Sequence, residues 1–131
     1  MTPQPVVSSP DLAAELAIRL NEVAPEGFTV IAEHTYVAVR YNGELIGRSG
    51  AAEFLESIEG IQNPPEAIKR AVRVILDTVQ DYVADTSTEP WPGTRDQPNP
   101  GIRLSGSHLE MWFGDQDNPV LKLRPLDLAT I

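Results

Sequence analysis

Apolar residues recur at helical spacing at Leu12, Leu16, Leu20 and Val23, with Ala13 and Ala17 beside them. A period near 3.6 predicts an amphipathic helix. Its start is marked by Ser8 and Asp11 as an S-x-x-D capping box, or by Ser9 as the cap with Pro10 in the first helical position. It ends near Pro25 and Gly27, and Arg19 lies four residues from Glu15 as a weak surface pair. The pattern then changes period. Phe28 to Glu33 and Thr35 to Tyr41 are rich in β-branched and aromatic residues, and Glu44 to Arg48 follows Asn42-Gly43. Asn-Gly between two such runs predicts a type I′ hairpin, since both central residues need positive φ. A two-residue loop sets Tyr41 opposite Glu44, Val39 opposite Ile46 and Val37 opposite Arg48 on one face. Ala38 opposite Gly47 and Arg40 opposite Leu45 share the other. Neither face is purely apolar, and the small Ala38/Gly47 pair would let a helix pack close.

Ser49 to Ile58 reads as a short helix burying Phe54, Leu55 and Ile58, ended by Gly60. Asn63-Pro64-Pro65-Glu66 is a second helix start. Behind it Ile68, Val72, Ile75, Val79 and Val83 make one continuous apolar stripe to about Asp85, widened by Ala67, Ala71 and Leu76. Thr86 to Gly101 holds Pro90, Pro92, Pro98 and Pro100 and reads as a long crossing loop, with Trp91 pinning it to the body. Short strands are predicted at Ile102 to Ser105, His108 to Phe113 and Val120 to Arg124, with turns at Gly106 and at Gly114 to Asn118. In the middle one Leu109, Met111 and Phe113 alternate with His108, Glu110 and Trp112. Leu126 and Leu128 end the chain as a docked tail. Strand blocks separated by helices imply an α+β fold: a helix, a three-stranded antiparallel meander, a short helix, a long helix, then two to three antiparallel strands. Residues 1–9 read as a flexible arm and 10–131 as one domain.

That order, over residues 10 to 124 and centred on Asn42-Gly43 with a helix on either side, resembles the type III secretion chaperone-like fold. The resemblance implies a small, acidic, usually homodimeric protein that binds extended segments of other proteins.

Charge narrows the partners. Ten Lys and Arg against nineteen Asp and Glu give a net charge of −9. Nucleic-acid affinity and binding to anionic membranes both rest on positive charge, so neither partner is expected. No long apolar run or signal-like start is visible, so a cytoplasmic location is expected. The absence of cysteine excludes disulfides, thiolate metal sites and cysteine nucleophiles. Arginine outnumbers lysine eight to two, which hints at a GC-rich bacterial genome.

Candidate chemistry is sparse. His34 and His108 lie far apart in sequence and form no H-x-x-x-H. Ser105-Gly106-Ser107-His108 sets hydroxyls beside an imidazole, but the pattern is what a turn requires. Asp115 to Asn118 fails the calcium-loop pattern, with Val120 at the sixth position and Leu126 at the twelfth. Asp77, Asp81 and Asp85 follow each other at i, i+4 on the long helix, while Lys69, Arg70 and Arg73 crowd its first half. Both groups oppose the helix dipole. Arg73–Asp77 and Glu66–Arg70 pairs would relieve a solvated face; the alternative is a charge-split face for a partner or a second copy. Trp112 shares a strand face with His108 and Glu110, beside Arg103, Lys122 and Arg124. It is either covered by a helix or exposed for binding. The binding candidates are therefore Trp112, His108, Glu110, Arg103, Lys122 and Trp91, with the acidic face of Asp77, Asp81 and Asp85. No cofactor, metal or catalytic residue is expected. The first reading is a non-catalytic protein-interaction module, chaperone-like or immunity-type, acting as a homodimer on another protein. The alternative is a small-molecule-binding domain with a pocket between sheet and long helix, near Ala38, Gly47 and Trp112.

Overall fold

The computed structural model describes residues 9–50, 64–93 and 98–130. Residues 1–8 of the predicted arm, the helix carrying Phe54, Leu55 and Ile58, and the Asn63 cap lie outside those residues, and Ser9, predicted as the last residue of the arm, is helical. The chain is α+β. Helix α1 (Ser9–Val23) leads into a three-stranded antiparallel sheet of β1 (Phe28–Glu33), β2 (Tyr36–Tyr41) and β3 (Glu44–Ser49). Helix α2 (Pro64–Ser87) follows. The second sheet holds β4 (Pro100–Ser105), β5 (His108–Gly114), β6 (Pro119–Lys122) and β7 (Leu126–Asp127). A 3₁₀ turn at Leu128–Thr130 docks the tail.

The second sheet therefore has four strands rather than two or three, because the tail contributes β7 alongside β5. Ser49 belongs to β3, not to a helix. Pro100 and Gly101, assigned to the loop from sequence, open β4. This is the first residue of an edge strand, where proline costs no ladder bond.

One contiguous core joins both helices to the inner faces of both sheets. The stripe on α2 supplies Ile68, Val72, Ile75, Leu76, Val79 and Val83. Phe28, Val30, Val37 and Val39 come from the first sheet, and Leu109, Met111 and Phe113 from β5. Trp91 does pin the proline loop: its ring meets Phe113 edge-on, centroids 5.5 Å apart. Gln80, buried on α2, adds a second tie by donating to the Pro98 carbonyl.

The hairpin turn forms at Asn42-Gly43 with φ of 51° and 88°. Its register holds for Tyr41–Glu44 and Arg40–Leu45, then slips. Ile46 is an extra residue, so Val39 faces Gly47, Ala38 faces Arg48 and Val37 faces Ser49. The predicted Ala38/Gly47 and Val39/Ile46 pairs do not form. The bulge has a packing reason: it turns Gly47 to the core face, where the Tyr82 ring of α2 occupies the place of a side chain. The Tyr82 hydroxyl then donates to the Arg48 carbonyl at 3.3 Å. Gly43→Val should cost about 1–3 kcal/mol, since a β-branched residue is forced to positive φ at a site otherwise open. The shift of the thermal midpoint measures it; an unchanged midpoint would contradict the turn assignment.

Candidate functional site

The second sheet brings most of the predicted binding residues onto one face. Across β4, β5 and β6, Glu110 pairs with Arg103 and Trp112 with both Gly101 and Lys122. His108 lies opposite Ser105 and Asp127. Arg103 Nε stands 3.8 Å from Glu110 Oε2, an exposed and weak pair. Trp112 is only 7% exposed. Among the described residues, its own strand neighbours supply cover. The indole lies flat over Gly101, and Nε1–H donates to the Gly114 carbonyl at 3.1 Å. Trp91 is half-buried against Phe113. Arg124 falls beyond β6 and instead reaches Glu22 on α1 at 3.1 Å.

The turn between β4 and β5 gains a partner that sequence spacing hid. Ser107 and His108 meet Asp127 of β7, whose carboxylate is held below the ordinary range by the Ser107 hydroxyl and the Ala129 N–H, with His108 nearby. The Ala129 bond is 3.0 Å, and Leu128 N–H donates to the Ser107 carbonyl at 2.8 Å. A nucleophilic serine has its imidazole between hydroxyl and carboxylate. Here the hydroxyl bonds the carboxylate directly, so the cluster ties the tail to the hairpin. A depressed folded-state pKa contributes stability above the unfolded value, lost as pH falls through the folded one. Wild type should therefore exceed Asp127→Asn in melting temperature near neutrality, with the gap narrowing as the pH falls below the ordinary aspartate range. A gap that persists unchanged in acid would contradict this account.

On α2, Asp77, Asp81 and Asp85 are all exposed. Arg70 and Arg73 are exposed too, and Lys69 Nζ reaches Glu66 at 3.5 Å. Neither Arg73–Asp77 nor Glu66–Arg70 forms among the described residues. Also among the described residues, no three His, Asp or Glu side chains come together to hold a metal ion. No described helix is long and apolar enough to cross a membrane. The three residues named for the pocket lie apart. Gly47 is filled by Tyr82, Ala38 lies on the opposite face of that sheet, and Trp112 belongs to the other sheet's outer face.

The surface that sequence reasoning missed is the outer face of the first sheet. Its rows run Ile31–Ala38–Arg48, Thr29–Arg40–Leu45 and Glu33–Tyr36. Ile31, Tyr36 and Leu45 are 38%, 37% and 40% exposed. Around fully buried Ala38 they make an apolar surface flanked by Arg40 and Arg48. Glu33 keeps Oε1 out of solvent with no hydrogen-bond partner. The signal was present in Arg40 and Arg48, which mark the solvent side of β2 and β3. The bulge at Ile46 scrambled it, because alternation assigns the two arginines to opposite faces unless one residue is skipped.

No family model, curated protein or solved structure matches this chain.

Each edge of the first sheet carries a feature that disfavours strand addition. On β1, the Val30 N–H already donates to Asn21 Oδ1 of α1 at 2.9 Å. On β3, the bulge at Ile46 breaks the even ladder an added strand needs. A partner therefore has the face to bind, not the edges.

Proposed function

We propose that this protein is a non-catalytic interaction module that acts as a homodimer and binds an acidic, apolar-containing segment of another protein. One observation carries the reading: the outer face of the first sheet, where Ile31, Tyr36 and Leu45 keep partial exposure around buried Ala38 beside Arg40 and Arg48. An apolar surface rimmed by polar groups is the usual mark of a protein-binding site. In a chain of net charge −9, a face carrying two arginines selects for acidic side chains. The element order, which resembles secretion chaperones that bind such segments, agrees with this.

The test is selection from a random peptide display library against the wild-type protein and against Leu45→Glu. The wild type should enrich sequences that combine acidic and large apolar residues, and Leu45→Glu should lose them. Enrichment of basic sequences, or equal enrichment by Leu45→Glu, would overturn the reading.

A further inference from the structure

We infer that the solvent face of α2 is the self-association surface, with two copies of the helix packed antiparallel about a two-fold axis at the level of residue 75. The inference rests on the homodimer reading and assigns it a surface separate from the sheet face that binds the partner.

The charge order of α2 is the first support. Lys69, Arg70 and Arg73 occupy its first half, and Asp77, Asp81 and Asp85 its second. Asp85 lies in the last turn, at the end of the dipole that disfavours negative charge, and the like-signed residues within each half crowd one another. The crowding is left uncompensated at Arg70, Arg73, Asp77 and Asp85, which make no ion pair among the described residues, whereas Lys69 reaches Glu66 at 3.5 Å. An antiparallel copy relieves the crowding. Lys69 and Asp81 lie equally far from position 75, as do Arg73 and Asp77, so a two-fold axis there sets Lys69 against Asp81 and Arg73 against Asp77, while Arg70 falls level with buried Gln80. Asp85 then faces the first turn of the other helix, the positive end of its dipole. The same patch meets itself on both copies, as two-fold symmetry requires.

Shape is the second support. A depression of about 260 Å³ is bordered by Glu66, Lys69, Arg70 and Arg73, and can receive the aspartates of the other copy. Val74, 38% exposed, lies beside the axis and gives the contact an apolar centre. Tyr82 and Gly47 join α2 to the core face of the first sheet. The outer face of that sheet is therefore separate from the α2 surface on each copy of the dimer.

Two charge-swapped variants test this. One carries Lys69→Asp, Arg70→Asp and Arg73→Asp; the other carries Asp77→Lys, Asp81→Lys and Asp85→Lys. Both changes follow the helix dipole, so each variant should keep the wild-type circular dichroism. In sedimentation velocity each variant alone should be monomeric, and an equimolar mixture should restore a dimer. The wild-type dimer should weaken at least about tenfold between about 0.05 and 0.5 M NaCl, as exposed ion pairs are screened. Variants that dimerise alone as well as wild type, or a mixture that stays monomeric, would overturn the interface. So would a dimer strengthened by salt, which would point to apolar burial on the sheet face. A wild type that is monomeric at every concentration would instead overturn the homodimer reading itself.

Discussion

Replacing Ile75 with alanine should cost about 2–5 kcal/mol, from lost burial plus the cavity left behind. Ile75 lies in the middle of the α2 stripe, with no exposure to solvent. Val72 and Val79 flank it on the same stripe, and all three belong to the core shared by both sheets. Such interiors are close-packed, so neighbours collapse only partly into the space. A single domain of this size should unfold in one cooperative step, and the urea midpoint reads the loss directly. A change below about 1 kcal/mol would mean that the stripe does not face the core.

Arg19→Ala should be nearly as costly, about 2–4 kcal/mol. Arg19 is a charged residue only 4% exposed. Its Nε donates to the Arg124 carbonyl at 2.9 Å and Nη2 to the Pro125 carbonyl at 3.0 Å. Nη1 donates to the Glu15 carboxylate at 2.6 Å and to the Glu15 carbonyl at 3.1 Å. One guanidinium thus fastens α1 to the segment between β6 and β7. Removing it leaves those acceptors without their donor. Arg19→Lys keeps the charge but loses the planar fork, so it should recover only part of the loss. Full stability in Arg19→Lys would show that charge alone matters.

Local patterns carried most of the fold. The α2 stripe and the Asn42-Gly43 turn are set by neighbours in sequence, and both appear where periodicity and turn chemistry place them. What stayed hidden depends on contacts between distant residues. The bulge at Ile46 answers to Tyr82, which lies on another element. Arg19 looked like half of a surface pair with Glu15, because nothing near it in sequence announces the carbonyls of Arg124 and Pro125. Trp112 stood out as a lone aromatic on a polar strand face. Its cover is Gly101, whose missing side chain matters only once β4 and β5 are in register. The same limit applies to the candidate site. Alternation showed two faces on the meander, but the skipped residue at Ile46 decided which face kept Arg40 and Arg48 together.

The two surfaces differ in what water already does for them. Trp112 has lost most of its solvent contact to Gly101 and Gly114, so a partner gains little by covering it. Ile31, Tyr36 and Leu45 still meet solvent, so their burial remains to be gained on binding.

The most direct measurement is a backbone-amide NMR titration with a synthetic extended peptide alternating leucine and glutamate. Shift changes should concentrate at Ile31, Tyr36, Arg40, Leu45 and Arg48, and should vanish in Leu45→Glu. Changes centred instead on Arg103, Glu110 and Lys122 of the second sheet would contradict the account.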